Sequence, residues 1–310
     1  MNTNSKRAEA NARLYWLHAI TPLHIGAGRG SGGIDLPVVR ERVTNWPYAP
    51  GSAVKGVLVA AHGASEAGQR EGATKAAFGK SADDQANENA GSLVLTDARL
   101  VCLPVRSLTG TFAWVSCPMA LRRLQADAAM AAQTTLQKPT IPAPKLEEAL
   151  LSQSSVLNAA GAVYLEDLKL EPTVDAVVSA WAEHLANVLG LGDEFKQRFV
   201  IIHDDLFQFL CTTALEIRAR IRLQAESKTT AGGALWYEEA LPPESILSGV
   251  VWCDQVFGAN LTPKQLLDSY CGANGDAPSH FQMGGDASTG KGVVRAIGLA
   301  RPSAMQEHVS

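Results

Sequence analysis

Cysteine is scarce in this chain of 310 residues, and its spacing excludes the usual zinc-binding motifs. The five cysteines are odd in number, and no two of them have the spacing of a zinc-ligand pair. They are Cys102, Cys117, Cys211, Cys253 and Cys271. This distribution predicts buried free thiols in a reducing cytoplasm rather than a disulfide framework.

Charge and long apolar runs are limited as well. Charged residues make up 19% of the chain and the formal net charge is -4, which argues against a general, charge-driven nucleic-acid binder but leaves room for a local basic groove. No apolar run is long enough to span a membrane, and the polar residues 1–13 lack the apolar core of a signal peptide. With 46% hydrophobic residues, the chain is expected to be a globular, cytoplasmic protein without a membrane partner.

Strand and helix patterns are interleaved along the chain, and many of the predicted strands form hairpin pairs. Residues 14–20 predict a first strand, and residues 53–62 predict a helix with Ser52 as its N-cap. Residues 214–223 alternate apolar and charged side chains, and residues 234–240 predict the return strand of a hairpin. The pattern indicates the α+β class with a mainly antiparallel sheet.

The chain is long enough for one large domain, which we place at residues 13–300 between two short tails, 1–12 and 301–310. Two segments inside it have little periodicity and are expected to be surface excursions. Residues 63–91 are rich in alanine, glutamate, asparagine and glycine, and residues 134–161 carry three prolines.

A glycine-rich loop with basic residues follows the first predicted strand. Five glycines lie between positions 26 and 33, where they allow the backbone to approach a ligand closely. Asp35 is the only carboxylate between these glycines and the next basic residue, so it is the natural candidate for chemistry. The basic residues that can meet phosphates nearby are Arg29, Arg40, Arg42 and Lys55.

Two glycine motifs match nucleotide-binding patterns but lack the required context. Residues 28–33 fit G-x-G-x-x-G, yet they run into Ile34-Asp35-Leu36-Pro37 instead of opening a helix. Residues 285–291 fit most of a phosphate-binding P-loop, but Gly292 replaces the Ser or Thr that holds magnesium. The second loop is expected to be either a tight turn or a place where backbone amides or Lys291 touch a phosphate.

Two histidine sites have competing interpretations. His24 and Asp35 could act as an acid and base pair, although packing of His24 at the strand end is favoured. The run His203-Asp204-Asp205 suggests a metal site, but its place between a strand and a helix favours helix capping by the aspartates.

The hairpin also admits two interpretations. One face of its first strand carries an arginine row that is either a solvated surface or a basic ribbon along a phosphate backbone, extended by Lys228. On the return strand, Trp236 and Tyr237 either stack on bases or belong to the core. The arginines of the row are Arg218, Arg220 and Arg222.

Three sequence blocks, taken together, resemble a known family. They are T-P-L-H-I-G-A-G with G-I-D-L-P-V-V-R-E-R and P-G-S-A-V-K-G in residues 21–56, L-W-Y-E-E-A-L-P in 235–242, and F-Q-M-G-G-D-A-S-T-G-K-G in 281–292. Their order and the chain length are similar to those of the backbone subunits of the type III-B CRISPR effector, the Cmr complex, in the RAMP superfamily.

The resemblance implies a modified RRM-like (ferredoxin-like) palm with an inserted thumb-like β-hairpin, placed at about 222–233. It implies guide RNA, complementary target RNA, further copies of the chain in a helical stack and other Cmr subunits as partners. It also implies that Asp35 cleaves target RNA. In such a reaction Asp35 could accept the proton of the attacking 2′-hydroxyl or hold a weakly bound Mg²⁺ or Mn²⁺ against the phosphate. The candidate RNA contacts are His24, Gly26, Gly28, Arg40, Ser52, Lys55, Arg222, Lys228, Gly284, Gly285 and Lys291.

Two alternatives stay open at this point. The chain could be a guide-binding scaffold in which Asp35 only shapes its loop. It could instead be a guide-free RNA-processing enzyme of the same superfamily that uses His24.

Overall fold

The computed structural model describes residues 11–30, 33–63, 70–79, 90–137, 139–223, 230–271 and 278–301. At positions 134, 222–223 and 230–234 the description covers the backbone alone. Both predicted tails therefore lie almost entirely outside the described residues. The first strand begins at Ala12, the last position that we assigned to the N-terminal tail.

Within these residues, strands and helices alternate along most of the chain. The strands are β1 (Ala12–Ala19), β2 (Tyr48–Ala49), β3 (Val94–Leu95), β4 (Ala98–Arg106), β5 (Phe112–Ser116), β6 (Glu148–Leu151), β7 (Val163–Leu165), β8 (Leu168–Val174), β9 (Phe199–Ile201), β10 (Glu216–Leu223), β11 (Thr230–Ala240), β12 (Ile246–Trp252), β13 (Ser279–Gln282) and β14 (Val293–Ile297). The helices are α1 (Gly51–Ala61), α2 (Gly72–Phe78), α3 (Pro118–Met130), α4 (Thr134–Gln137), α5 (Ala176–Leu189), α6 (Gly192–Arg198), α7 (Asp204–Thr213) and α8 (Pro263–Cys271), with a 3₁₀ turn at Ala287–Thr289. None of the helices in the described ranges is long and apolar enough to cross a membrane.

One large sheet dominates the fold. Its strands run in the order β13-β14-β1-β12-β4-β5-β9-β6-β8-β7, with β2 paired to β4 and β3 paired to β12. Neighbouring strands are antiparallel except for the pairs β5–β9 and β6–β8. The predicted α+β class with a mainly antiparallel sheet is thus confirmed.

Strand β1 lies inside this sheet and is buried on both faces. Tyr15 and Leu17 join one core, which also receives residues of α1, α7 and α8. Leu14 and Trp16 point to the opposite face and join a second core with α3, α5 and α6. Because side chains alternate across a strand, the apolar run of β1 feeds both cores and needs no polar face.

All five cysteines are free and buried, as predicted. Burial raises the pKa of the Cys271 thiol to about 12 and that of Cys253 to about 11. Burial likewise raises the pKa values of Cys102, Cys117 and Cys211. The thiols are therefore protonated at neutral pH and act as small core side chains.

Two capping predictions need correction. Ser52 is not the N-cap of α1; Pro50 holds that position without a side-chain cap, and Asp97 Oδ1 accepts from the Gly51 amide at 2.8 Å. At α7 the N-cap is His203, whose Nδ1 accepts from the Asp205 amide at 3.2 Å. Helix capping rather than metal binding is thereby supported at this run, but the histidine, not an aspartate, is the cap.

The predicted surface excursions are only partly irregular. Residues 134–161 contain α4 and β6, and β6 lies inside the large sheet between β8 and β9. The prediction of a surface excursion is therefore wrong for strand β6, because pairing on both sides gives a buried strand to a segment with little periodicity of its own. Residues 63–91 contain helix α2, which buries Ala76, Ala77 and Phe78.

Strands β10 and β11 form a separate two-stranded hairpin. Its base extends well beyond the predicted thumb at 222–233, and residues 224–229 between the two strands in sequence lie outside the described residues. The apolar side chains of one face are about half exposed rather than packed against a core. They are Ile217, Ile221, Leu235 and Tyr237.

Candidate active site

Asp35 lies in the loop between β1 and β2 and is held against the hairpin. Its Oδ2 accepts a hydrogen bond from the Tyr237 amide at 2.8 Å. The Leu36 amide donates to the Tyr237 carbonyl, and the Glu239 amide donates to the Leu36 carbonyl, each at 3.0 Å. The Gly30 amide closes the loop on the Asp35 carbonyl at 2.8 Å. These bonds fix the loop to β11 through a single parallel β-bridge between Leu36 and Glu238.

The Asp35 side chain is nevertheless exposed. Its second oxygen, Oδ1, has no hydrogen-bond partner among the described residues, so it faces a ligand or solvent. A carboxylate with one anchored oxygen and one open oxygen can accept a proton or offer one ligand to a hard metal ion. The described ranges contain no group of three metal-ligating side chains, so the protein itself would supply few ligands to such an ion.

His24 is buried at the end of β1 and does not present its ring as an exposed acid or base. Its Nδ1 lies 2.6 Å from the Glu239 carbonyl, and since a carbonyl only accepts, this nitrogen carries the proton. The Gly285 amide donates to the His24 carbonyl at 2.9 Å. The packed interpretation of His24 is confirmed, and the histidine links β1 to both the hairpin and the C-terminal glycine loop.

Glycines around His24 are required for close backbone approach. A Cβ on Gly284 would lie 2.1 Å from the His24 carbonyl oxygen, and Gly284 has φ +79°. A Cβ on Gly26 would lie 2.9 Å from the His24 ring. Gly285 is held by its amide, whereas Gly28, at φ +91°, is exposed with no described atom within 4 Å of a Cβ. Three of these glycines thus serve packing, and Gly28 is left open to a ligand.

Arg40 is tied into the protein by three hydrogen bonds. Its Nη2 donates to Glu239 Oε1 at 2.5 Å, and its Nη1 donates to the carbonyls of Cys211 at 2.9 Å and Asn45 at 2.8 Å. The other Glu239 oxygen accepts from the Val38 amide at 3.0 Å. In this arrangement the charge of Arg40 is paired with Glu239 inside the protein, and its role as an RNA contact stays a prediction.

Lys291 is similarly engaged in the C-terminal glycine loop. Its buried Nζ lies 2.6 Å from Glu238 Oε2 and 2.9 Å from Asp286 Oδ2. Burial alone would raise the pKa of Glu238, but hydrogen bonds from Lys291 and Trp236 outweigh it and bring the pKa down to about 2. Glu238 is therefore ionised at neutral pH and balances a buried cation.

The start of helix α1 leaves a basic side chain without a carboxylate. Lys55 is half-buried and forms no ion pair with any described residue. Desolvation and the nearby Arg70 lower the pKa of Lys55. Ser52 is exposed in the same helical turn. An anion placed here would relieve the repulsion between the two cations.

Two of the predicted RNA contacts lie beyond the described atoms. The side chain of Arg222 and all of Lys228 lie outside the described atoms. Arg29 and Arg42 are exposed in the loop that carries Asp35. The sequence analysis did not predict that Glu238 and Glu239 would pair with Lys291 and Arg40. The feature that could have indicated it is a pair of acidic residues next to Trp236 and Tyr237 on an otherwise apolar strand.

Comparison with known proteins agrees with this architecture. The RAMP superfamily model matches residues 16–295. The chain is 33% identical over 291 residues to the CRISPR system Cmr endoribonuclease Cmr4 of Pyrococcus furiosus, covering 92% of this chain and 94% of the relative.

Solved structures show the same fold. An oligomeric Cmr4 from Pyrococcus furiosus superposes with a TM-score of 0.69 at 23% identity, covering 93% of this chain and 97% of that one. A chain of the type III-B Cmr-beta complex bound to cognate target RNA gives a TM-score of 0.70 at 18% identity, with coverages of 92% and 96%. The chain therefore belongs to the RAMP superfamily and, within it, to the backbone subunits of type III-B Cmr complexes.

Proposed function

We propose that the chain binds guide RNA, stacks on further copies of itself, and cleaves complementary target RNA through Asp35. The observation that carries the proposal is the exposed Asp35 carboxylate, fixed at Oδ2 by the Tyr237 amide and open at Oδ1. The Pyrococcus furiosus relative is an endoribonuclease, and one structural neighbour is part of a complex bound to target RNA.

The hairpin supplies a second feature that suits an RNA substrate. Tyr237 supplies the backbone amide that holds Asp35, and its side chain is 41% exposed. This side chain shares an exposed face with Ile217, Ile221 and Leu235. Aromatic rings stack on bases with little sequence preference, and aliphatic side chains can pack beside them. A nucleotide splayed against this face would have its sugar and phosphate close to Asp35. Sequence specificity would then come from guide pairing, with the protein contacting backbone and shape.

The chemistry follows from one open carboxylate oxygen. Asp35 Oδ1 accepts the proton of a target 2′-hydroxyl as that oxygen attacks the adjacent phosphorus. The bond from phosphorus to the 5′-oxygen of the next nucleotide breaks, and that oxygen takes up a proton from water. The hydroxide that remains takes the proton from Asp35 and restores the carboxylate. The products carry a 2′,3′-cyclic phosphate and a 5′-hydroxyl. DNA lacks the attacking hydroxyl and should not be cut.

A divalent ion fits this site only as a weakly held partner. The described residues offer no cluster of three ligating side chains, so a second lone pair of Asp35 Oδ1 would be the protein's contribution, and Mg²⁺ or Mn²⁺ would take its other ligands from water and RNA. When bound, the ion would neutralise charge on the scissile phosphate. We therefore propose metal-dependent cleavage that chelators suppress without unfolding the protein.

The test uses the assembled complex with a guide and an end-labelled complementary RNA. Cleavage at regular intervals and 2′,3′-cyclic phosphate ends are expected. A target with one 2′-deoxy nucleotide at a cut position should lose that product and keep the others. Cleavage that persists at the deoxy position would contradict attack by the 2′-hydroxyl, and tight target binding without any cleavage would leave the scaffold role in its place.

A further inference from the structure

A cluster of buried charges lies near the site, and we call it the ionic lock. Lys291 and Glu238 are each 3% exposed, and their contact of 2.6 Å joins the C-terminal glycine loop to strand β11. Asp286 lies 2.9 Å from the same Lys291 nitrogen. Arg220 Nε, on β10, lies 3.2 Å from Glu238 Oε2. The ionic lock therefore connects both hairpin strands to a loop more than 50 residues further along the chain.

The ionic lock acts on the same short stretch of β11 that holds Asp35. Glu238 is flanked by Tyr237, whose amide holds Asp35 Oδ2, and by Glu239, whose amide donates to the Leu36 carbonyl. Because Glu238 lies between these two residues, movement of its backbone would displace the Tyr237 and Glu239 amides and, with them, the Asp35 loop. The free end of Asp35 has no support of its own among the described residues, so its position depends on these backbone bonds.

We infer that Lys291 is a positioning residue for cleavage, which locks strand β11 through Glu238 and so aims Asp35. This inference rests on the proposed function of Asp35. It differs from the sequence-based expectation that Lys291 touches a phosphate, because its nitrogen is buried and already bonded to two carboxylates.

Removing one charge from a buried, balanced cluster leaves an uncompensated charge behind. Without Lys291, the carboxylates of Glu238 and Asp286 face Arg220 alone, whereas removal of both Lys291 and the Glu238 charge leaves Arg220 beside Asp286. Lys291→Met alone should therefore loosen β11, and the double variant Lys291→Met/Glu238→Gln should restore much of its order. Since a displacement of about 1 Å can reduce a rate by about 10²-fold, the single variant should cleave roughly 10- to 100-fold more slowly. The double variant should recover most of that activity.

The experiment combines two readouts on the complete complex. Hydrogen exchange of the Leu36, Tyr237 and Glu239 amides reports the anchors directly and does not depend on activity. Target cleavage and guide affinity are measured on the same preparations. The control is Lys264→Met, which removes a lysine from an exposed pair with Asp268 on α8 and should change none of these quantities.

The expected result is faster exchange at the three amides and slower cleavage in Lys291→Met, with unchanged guide affinity and recovery in the double variant. Unchanged exchange in the single variant would overturn the inference, as would a double variant no better than the single. If Lys291→Met instead weakens guide binding with a shallower salt dependence and no rescue, the lysine is a phosphate contact. Absence of cleavage by wild type would refute the proposed function, while the exchange readout would still decide the role of Lys291.

Discussion

Arg40 provides a sharp test of whether the basic residues of the Asp35 loop serve the protein or the RNA. The Arg40 side chain is 15% exposed and that of Glu239 is 3% exposed, so Arg40→Met would leave a buried carboxylate without its cation. Breaking a buried ion pair in this way costs about 3–5 kcal/mol. The Val38 amide still donates to Glu239 Oε2, so we expect a loss near the lower limit of about 3 kcal/mol.

The assay is urea unfolding of the isolated subunit, and the quantity compared is the free energy of unfolding in water. Arg106→Met is the matched control, because Arg106 pairs with Glu166 at 3.1 Å while 73% exposed. An exposed pair of this kind contributes at most about 1 kcal/mol. The double variant Arg40→Met/Glu239→Gln should lose less than the sum of its two single variants.

A loss of stability in Arg40→Met no larger than in Arg106→Met would refute this reasoning. Arg40 would then be weakly coupled to Glu239 and available to a phosphate. In that case Arg40→Met should lower guide affinity, and the salt dependence of binding should become shallower by roughly 0.7, the value for a single phosphate on a single strand.

Three further predictions concern Glu238, Lys55 and Gly284. The pKa of Glu238 is lowered to about 2 from 4.5, so its stabilising contribution is complete above about pH 4.5 and is lost as the pH falls toward 2. The free energy of unfolding of wild type should accordingly exceed that of Glu238→Gln by up to about 3 kcal/mol at neutral pH. Urea titrations at several pH values should show this difference becoming smaller as the pH falls. A difference that does not change with pH would contradict an ionised Glu238 in the ionic lock. Lys55→Gln should weaken guide binding, and the dependence of log affinity on log salt concentration should become shallower by roughly 0.7. Its stability should be preserved, because no described carboxylate loses a partner. An unchanged salt dependence would show that Lys55 contacts no phosphate. Gly284→Ala should lower the midpoint of thermal unfolding, because Gly284 has φ +79° and a Cβ there would lie 2.1 Å from the His24 carbonyl oxygen. The control is Gly56→Ala in helix α1, where no described atom lies within 4 Å of a Cβ. This control should raise the free energy of unfolding by up to about 1 kcal/mol.

The elements that could be predicted are those whose own residues determine them. The hairpin strands and helix α5 have clear periodic patterns, and strand β1 is a short apolar run, so their type follows from the sequence. Strand β6 could not be predicted, because Glu148–Leu151 does not alternate and becomes a strand by pairing with β8 and β9. Strand β13, Ser279–Gln282, is a short polar edge strand that pairs with β14 alone among the described strands. Both depend on neighbours that are distant in sequence.

The candidate site shows the same division. Asp35 could be identified from its isolation among glycines and basic residues, but the amide that holds it belongs to Tyr237, 202 residues away. Ser52 has the residue type of an N-cap, yet Asp97 meets the first amide of α1 from 46 residues away. Arg40 and Lys291 were expected to face RNA, and the carboxylates that engage them lie 199 and 53 residues away. Sequence patterns indicate which residues carry charge, and tertiary structure decides where that charge is used.

The most direct test of the account is target cleavage by complexes that carry Asp35→Asn. The control is Asp167→Asn, an exposed aspartate in the turn between β7 and β8, and each complex is assayed with Mg²⁺, with Mn²⁺ and with a chelator. Loss of a general base reduces a rate by about 10²–10⁴-fold, so Asp35→Asn should abolish the regular cleavage products while guide and target binding remain. Complexes with Asp167→Asn should cleave like wild type, and the chelator should suppress cleavage by wild type and by Asp167→Asn. Normal cleavage by Asp35→Asn would contradict the central claim and move the chemistry to another residue.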